Sequence, residues 1–270
     1  MILFVFEGKD DKIYFESIKR LFFPEKSDTF VCTYNSNIYS LYSKLKEHDA
    51  LHGMLEVNTV SVFKEILLEK GDGALNEIRE DEVSEIYLFF DYDFQEDSRP
   101  LEENNLKLSE MLAYFTDETE SGKLYINYPM VESLRYTKAL PDADYWTYTV
   151  TRQRCQEESF KHQVHKFSFY GANLEYIIPI IKPADDDARI QAKTETARQN
   201  WRHLIAMNVC KSNFICNNVN EIPFETNIQK EIFDNQLSKY VETEDSNVAV
   251  LNAFPIFLFE YYGDKILNDK

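Results

Sequence analysis

The chain has 270 residues, 44% of them hydrophobic, which is enough for one large domain or two modest ones around a real core. Its net charge of −18 opposes long-range attraction to nucleic acid unless divalent metals, a local basic strip or a basic partner offset it; the plainer reading of that charge is solubility. Glycine is scarce, and no Walker-type loop or G-x-G-x-x-G occurs, which excludes a glycine-rich nucleotide cradle.

Cys32, Cys155, Cys210 and Cys216 have neither C-x-x-C nor zinc-ligand spacing, as expected of free thiols in a reducing cytosol. No apolar stretch reaches membrane-spanning length, and the chain opens on a strand rather than a basic leader. A cytoplasmic protein with no membrane contact is expected.

Residues 2–6 form a continuous apolar run, as a strand covered on both faces would. After Glu7 and Gly8, residues 10–23 read as a helix. Ile13, Tyr14, Ile18 and Leu21 recur at helical spacing, Asp10 and Asp11 sit at the start, where negative charge is favoured, and Pro24 ends it. Residues 29–34 read as a second strand, and Asn35-Ser36-Asn37 as a turn opening a helix through about Lys46. Residues 60–70 make a further amphipathic helix, stopped by Gly71-Asp72-Gly73.

Residues 84–90 are the clearest strand and run into Asp91-Tyr92-Asp93. A polar loop over 93–100 precedes a helix over 101–115, with Leu106, Leu108, Met111, Leu112 and Phe115 on or near one face. Residues 123–128 give a fourth strand, ending in Pro129-Met130-Val131-Glu132. Strands and helices that alternate in this way predict an α/β fold: a mostly parallel sheet flanked by helices.

Beyond Pro141 the texture changes. Residues 189–209 and 227–241 read as helices, and 170–181 as extended. The expected division is an α/β domain over 1–138 and a predominantly helical region over 139–270 packed on it.

Glu7 and the Asp91/Asp93 pair end two apolar strands, and open α/β sheets place ligands at that edge. Within an Asp-x-Asp, strand alternation would point both carboxylates the same way, with Glu7 facing them from a neighbouring strand. Either acidic turn alone is ordinary, because aspartate favours turns. Together they predict a Mg²⁺ site, since that ion needs only a few carboxylates and keeps several waters. Like carboxylates held together require a cation.

Four other features are weaker. His162 and His165 lack an obvious third ligand, and Asp185-Asp186-Asp187 lacks the glycine and glutamate of an EF-hand, so both suit solvated surface. Arg135, Lys138, Arg152, Arg154, Lys161 and Lys166 interleave with Tyr136, Tyr145, Trp146 and Tyr148. Such a stretch suits either a phosphate backbone with stacked bases or packing between the two halves. Lys211, in Asn208-Val-Cys-Lys-Ser-Asn213 where a helix end turns from apolar to polar, reads as an ordinary solvated lysine.

Glu7-Gly8 after the first strand, followed by an apolar strand into Asp91-Tyr92-Asp93, resembles the Toprim domain of topoisomerases, bacterial primases, small ribonucleases and OLD (overcoming lysogenization defect) nucleases. The resemblance covers about residues 1–135. In the OLD-like branch a small residue, any residue and Glu follow the next strand. Here Met130-Val131-Glu132 supplies the Glu, with Met in place of the small residue.

The segment 124–133 is also similar to abortive-infection proteins of the AbiL type. The resemblance implies a Toprim nuclease acting in anti-phage defence with Mg²⁺ or Mn²⁺. Glu7, Asp91, Asp93 and Glu132 would be both metal ligands and catalytic groups, and Lys211, or Lys9 beside Glu7, the base that offsets developing phosphate charge. The substrate would be DNA or RNA, and the partner protein an SMC- or ABC-like ATPase. The competing expectation is a non-catalytic acidic interaction module, or a regulatory subunit of an ATPase-linked defence complex.

Overall fold

The computed structural model describes residues 1–23, 28–47, 58–96 and 98–268. Pro24, expected to end the first helix, lies outside the described residues. A five-stranded sheet runs in the order β2-β1-β3-β5-β4. Its four principal strands, β1 (Ile2–Phe6), β2 (Thr29–Thr33), β3 (Glu85–Asp91) and β5 (Gly122–Asn127), are parallel. The two-residue edge strand β4 (Thr116–Asp117) pairs antiparallel with β5 and is too short to leave a periodic signal in the sequence.

Alternation along the strands divides the core in two. Leu3, Val5, Leu88, Phe90, Leu124 and Ile126 face one side, against α2 (Ile38–Glu47), α3 (Thr59–Glu69), α4 (Leu101–Tyr114) and α9 (Gln229–Gln236). Phe4, Phe6, Tyr87, Phe89 and Tyr125 face the other side, against α1 (Lys9–Phe22), α8 (Asp187–Asn217) and α10 (Ala253–Tyr262). The helical C-terminal segment therefore supplies helices to both faces of the sheet. It also closes on the strands through a bridge from Tyr128 to Leu251.

Between β5 and α8 the chain forms β6 (Thr149–Thr151), α5 (Arg152–Glu157), α6 (Phe160–Phe167) and α7 (Phe169–Ala172); β6 pairs antiparallel with β7 (Asn247–Ala249). Residues 170–181, expected to be extended, instead contain the end of α7 followed by turns. The α7 cap explains the difference, because Ser168 accepts the Gly171 N–H at its hydroxyl and starts a helical turn.

Two apolar residues assigned to core faces are exposed, Ile13 at 49% and Leu106 at 67%. Each lies one position off a stripe that its helix already fills, with Tyr14, Ile18 and Leu21 or Leu108, Met111 and Leu112. Asp186, in the acidic triplet, caps α8 by accepting the Arg189 N–H, and Asp185 pairs with Lys193 at 2.6 Å. His162 and His165 lie on the exposed side of α6.

Phe257 joins the C-terminal segment to the sheet, with ring centroids 5.7 Å from Phe4, 4.9 Å from Tyr87 and 5.5 Å from Phe89. It is fully buried. Phe257→Ala is expected to lower the unfolding free energy by about 3–5 kcal/mol in urea titrations. A loss under about 1 kcal/mol would show that α10 is not part of the sheet's core.

Candidate metal centre

β1 and β3 pair in register, Phe6 beside Phe89, so both strands end at the same edge of the sheet. The Glu7 N–H continues the ladder to the Phe89 carbonyl at 3.1 Å, and the Asp91 N–H donates to Glu7 Oε2 at 2.9 Å. Asp91 is the last residue of β3 and is buried; Asn127, at the end of β5, donates from Nδ2 to Asp91 Oδ1 at 3.1 Å. Asn127 is held in turn by the Ala253 N–H, which donates to its Oδ1.

Asp93 lies beyond the strand with φ of 50°, the left-handed region that aspartate tolerates better than most residues. Its direction is set by that turn and not by the strand alternation the sequence suggested.

Glu132 is 2% exposed, on the 3-10 turn Val131–Arg135 that follows β5. Its Oε1 is 3.3 Å from Lys161 Nζ, and its Oε2 has no hydrogen-bond partner. Asp11, also buried, accepts the Gly8 N–H at Oδ2 at 3.1 Å, while its Oδ1 is unpartnered. Lys161, on α6, also forms an ion pair with Asp10.

These carboxylates perturb one another. Burial, then Asp93, pushes Glu7 up to about 9. Burial raises Asp11 to about 7, against backbone hydrogen bonds that lower it, with Glu132 and Asp10 adding to the rise. Asp91 is driven far above the ordinary carboxylate range by burial and by Glu7, Asp11, Glu132 and Asp93 in that order. Asp93 rises to about 6 through burial and Glu96.

Glu7, Asp91, Asp93 and Glu132 are therefore brought to one edge, and Asp11 joins them. As the side chains stand, no three His, Cys, Asp or Glu among the described residues are closed into an ion-holding group. Glu7, Asp91 and Asp11 instead each accept a hydrogen bond from a neighbouring amide. Buried carboxylates of one sign, two of them with an orphaned oxygen, are nevertheless a donor set that suits a hard divalent cation.

Lys211 lies elsewhere. It is fully buried on α8, where Nζ donates to the Tyr145 and Tyr148 carbonyls at 3.0 and 2.6 Å and sits 4.8 Å from the Tyr145 ring centroid. Burial pulls its ammonium well below the ordinary lysine range. Its contacts hold the turn before β6 and reach none of the acidic group. Lys9, the alternative, is exposed at the start of α1.

The base beside the carboxylates is Lys161, which in sequence is one member of a mixed basic stretch. Asp11 reads in sequence as a helix-start charge that, like Asp10, could reach a metal only through water. No local signal marks Lys161 for the site, because it is 151 residues from Asp10 along the chain.

Raised acids bind more protons in the folded state than in the unfolded chain, so their contribution to stability is present at low pH and is lost as pH rises toward the folded values. With Asp93 at about 6, Asp11 at about 7 and Glu7 at about 9, the window runs from the ordinary carboxylate range to about pH 9. In chelator the melting temperature should fall across that window, and Asp91→Asn should flatten the fall. Mg²⁺ should raise the melting temperature more at pH 8 than at pH 5. A Mg²⁺ response equal at the two pH values would contradict metal binding by these groups.

In comparisons with known proteins, the chain matches no family model, no curated protein and no solved structure.

Proposed function

We propose that the chain is a Toprim-type nuclease that hydrolyses phosphodiesters in DNA or RNA with Mg²⁺ or Mn²⁺, as an abortive-infection effector in anti-phage defence. One observation carries the reading: five carboxylates from three stretches of chain, residues 7–11, 91–93 and 132, are gathered at the C-terminal edge of a parallel sheet, with Asp11, Asp91 and Glu132 buried. Burying like charges is costly unless a cation offsets them, so such a cluster is not expected as mere packing.

Glu7, Asp91, Asp93 and Glu132 would hold the metal, with Asp11 as a fifth donor. A divalent cation bound there supplies Lewis-acid polarisation of the phosphate and a water of lowered pKa. The protein's own groups do the rest. Asn127 fixes the Asp91 carboxylate through its amide, and the Asp91 N–H fixes Glu7. Lys161 places an ammonium beside Glu132, where charge on a phosphate oxygen could be offset, the part first expected of Lys211. The sequence lacks a Walker-type loop, so any ATP dependence would come from the SMC- or ABC-like partner that the resemblance implies.

The test incubates purified protein with single- and double-stranded DNA and RNA in Mg²⁺, Mn²⁺ or chelator. Metal-dependent cleavage is expected, reduced about 10–100-fold in Asn127→Ala, as for an outer-shell partner, and by at least about 100-fold in Asp91→Asn. No cleavage by wild-type protein, alone or with its ATPase partner, together with an unchanged cellular phenotype in Asp91→Asn, would replace this reading with the acidic interaction module.

A further inference from the structure

Beside the carboxylate edge lies a concavity of about 240 Å³, lined by Asn37, Ser40, Ser43, Glu96, Arg99 and Asn104 among others. It shares a wall with the acidic turn. The Tyr39 hydroxyl, also in the lining, donates to the carbonyl of Tyr92, the residue between Asp91 and Asp93, at 3.4 Å. The Glu96 N–H donates to the Asp93 carbonyl at 2.9 Å, so the loop that forms one side of the pocket begins at a site carboxylate. Arg152 secures that loop by donating to the Phe94 and Glu96 carbonyls at 3.1 and 2.8 Å.

Three features of the lining point to a ligand. Asn104 is only 1% exposed, yet its side-chain oxygen has no hydrogen-bond partner, a rare state for a buried amide. Two helices begin at the pocket: α2 of ten residues, whose Ser40 N–H is capped by Asn37 Oδ1, and α4 of fourteen, where no side chain caps the first turn and an anion is favoured. Arg99 adds a planar cation suited to phosphate oxygens, while Glu96 and the serine hydroxyls can pair with sugar hydroxyls.

Size narrows the choice. Small-molecule pockets commonly span about 300–1,000 Å³, and this one falls below that range. Its lining is polar on nearly every side, with Tyr39 the only aromatic ring among its described residues. Resting on the nuclease reading above, we propose that this pocket seats the sugar and phosphate of the nucleotide adjoining the scissile phosphodiester, leaving its base outside.

The test uses the full chain in chelator, so that no cleavage is required, with ribose 5-phosphate, inorganic phosphate and short DNA and RNA oligonucleotides as probes in titration calorimetry. Ribose 5-phosphate is expected to bind more tightly than inorganic phosphate and to be displaced by an oligonucleotide. Arg99→Ala should weaken it about tenfold and Asn104→Ser about fivefold, while Arg189→Ala, at the exposed start of α8, changes nothing. Circular dichroism and melting curves confirm that each variant is folded.

No binding of ribose 5-phosphate, equal binding by Arg99→Ala, or failure of every oligonucleotide to displace it would overturn the pocket. The nuclease reading is judged separately. Metal-dependent cleavage with an unchanged KM in Arg99→Ala removes the pocket and keeps the nuclease. Oligonucleotide displacement without any cleavage in Mg²⁺ or Mn²⁺ does the reverse.

Discussion

The parallel pairing of β1 with β3 is the constraint on which the acidic edge depends. It brings Glu7 against the backbone of Asp91, 84 residues further along the chain, and the bond between them joins a side chain to the next peptide of the ladder. The β3–β5 pairing, in register Asp91 beside Asn127, then supplies the amide that orients Asp91 and the turn that carries Glu132. Strand register fixes Glu7 and Asp91 directly, and places the helix and turns that carry Asp11, Asp93 and Glu132. A slip of one residue would turn the strand-end side chains to the opposite face.

That register is in turn set by an aromatic layer. Phe4, Phe6, Tyr87, Phe89 and Tyr125 project from one face of three adjacent strands, and Phe254 and Phe257 of α10 pack on them from the far end of the chain. Apolar burial of that kind can outweigh the cost of holding several acids together nearby, because each large aromatic side chain contributes about 1.5–3 kcal/mol on burial. The C-terminal segment is thus tied to the acidic edge by packing, and also by Lys161 and Arg152, whose side chains reach its loops.

The parts of this fold written in local pattern were legible in the sequence. Continuous apolar runs at 2–6 and 84–90 mark strands covered on both faces, and β1 and β3 occupy those places. The helices α1 to α4 follow their apolar periodicity to within a residue or two of either end. The candidate site was legible as far as its residues end strands or open turns, as Glu7, Asp91 and Glu132 do. It was not legible where a role depends on distant chain. Lys211 and Lys161 are both lysines on amphipathic stretches, and only the packing of α8 and α6 buries one beneath two carbonyls and sets the other beside Glu132.

The basic stretch over 135–166 bears on how so acidic a chain could meet a polyanion. Most of it is spent internally. Arg135 donates to the Gly171 carbonyl, Lys166 pairs with Glu158, Lys138 lies over the Phe167 ring and Tyr136 stacks on that ring at 3.9 Å. Packing between the two segments accounts for Arg135, Tyr136 and Lys138 better than a phosphate track does. A backbone held by many lysines and arginines would release many counterions and bind with steep salt dependence. With those cations occupied and a net charge of −18, affinity for a nucleic acid would have to be local, arising at the acidic edge once cations neutralise it and at the Arg99 pocket beside it. Such a protein would engage a strand at one short stretch, with little of the long-range attraction that carries nonspecific binding. Under the proposed function, recruitment to a nucleic acid would then fall to another molecule.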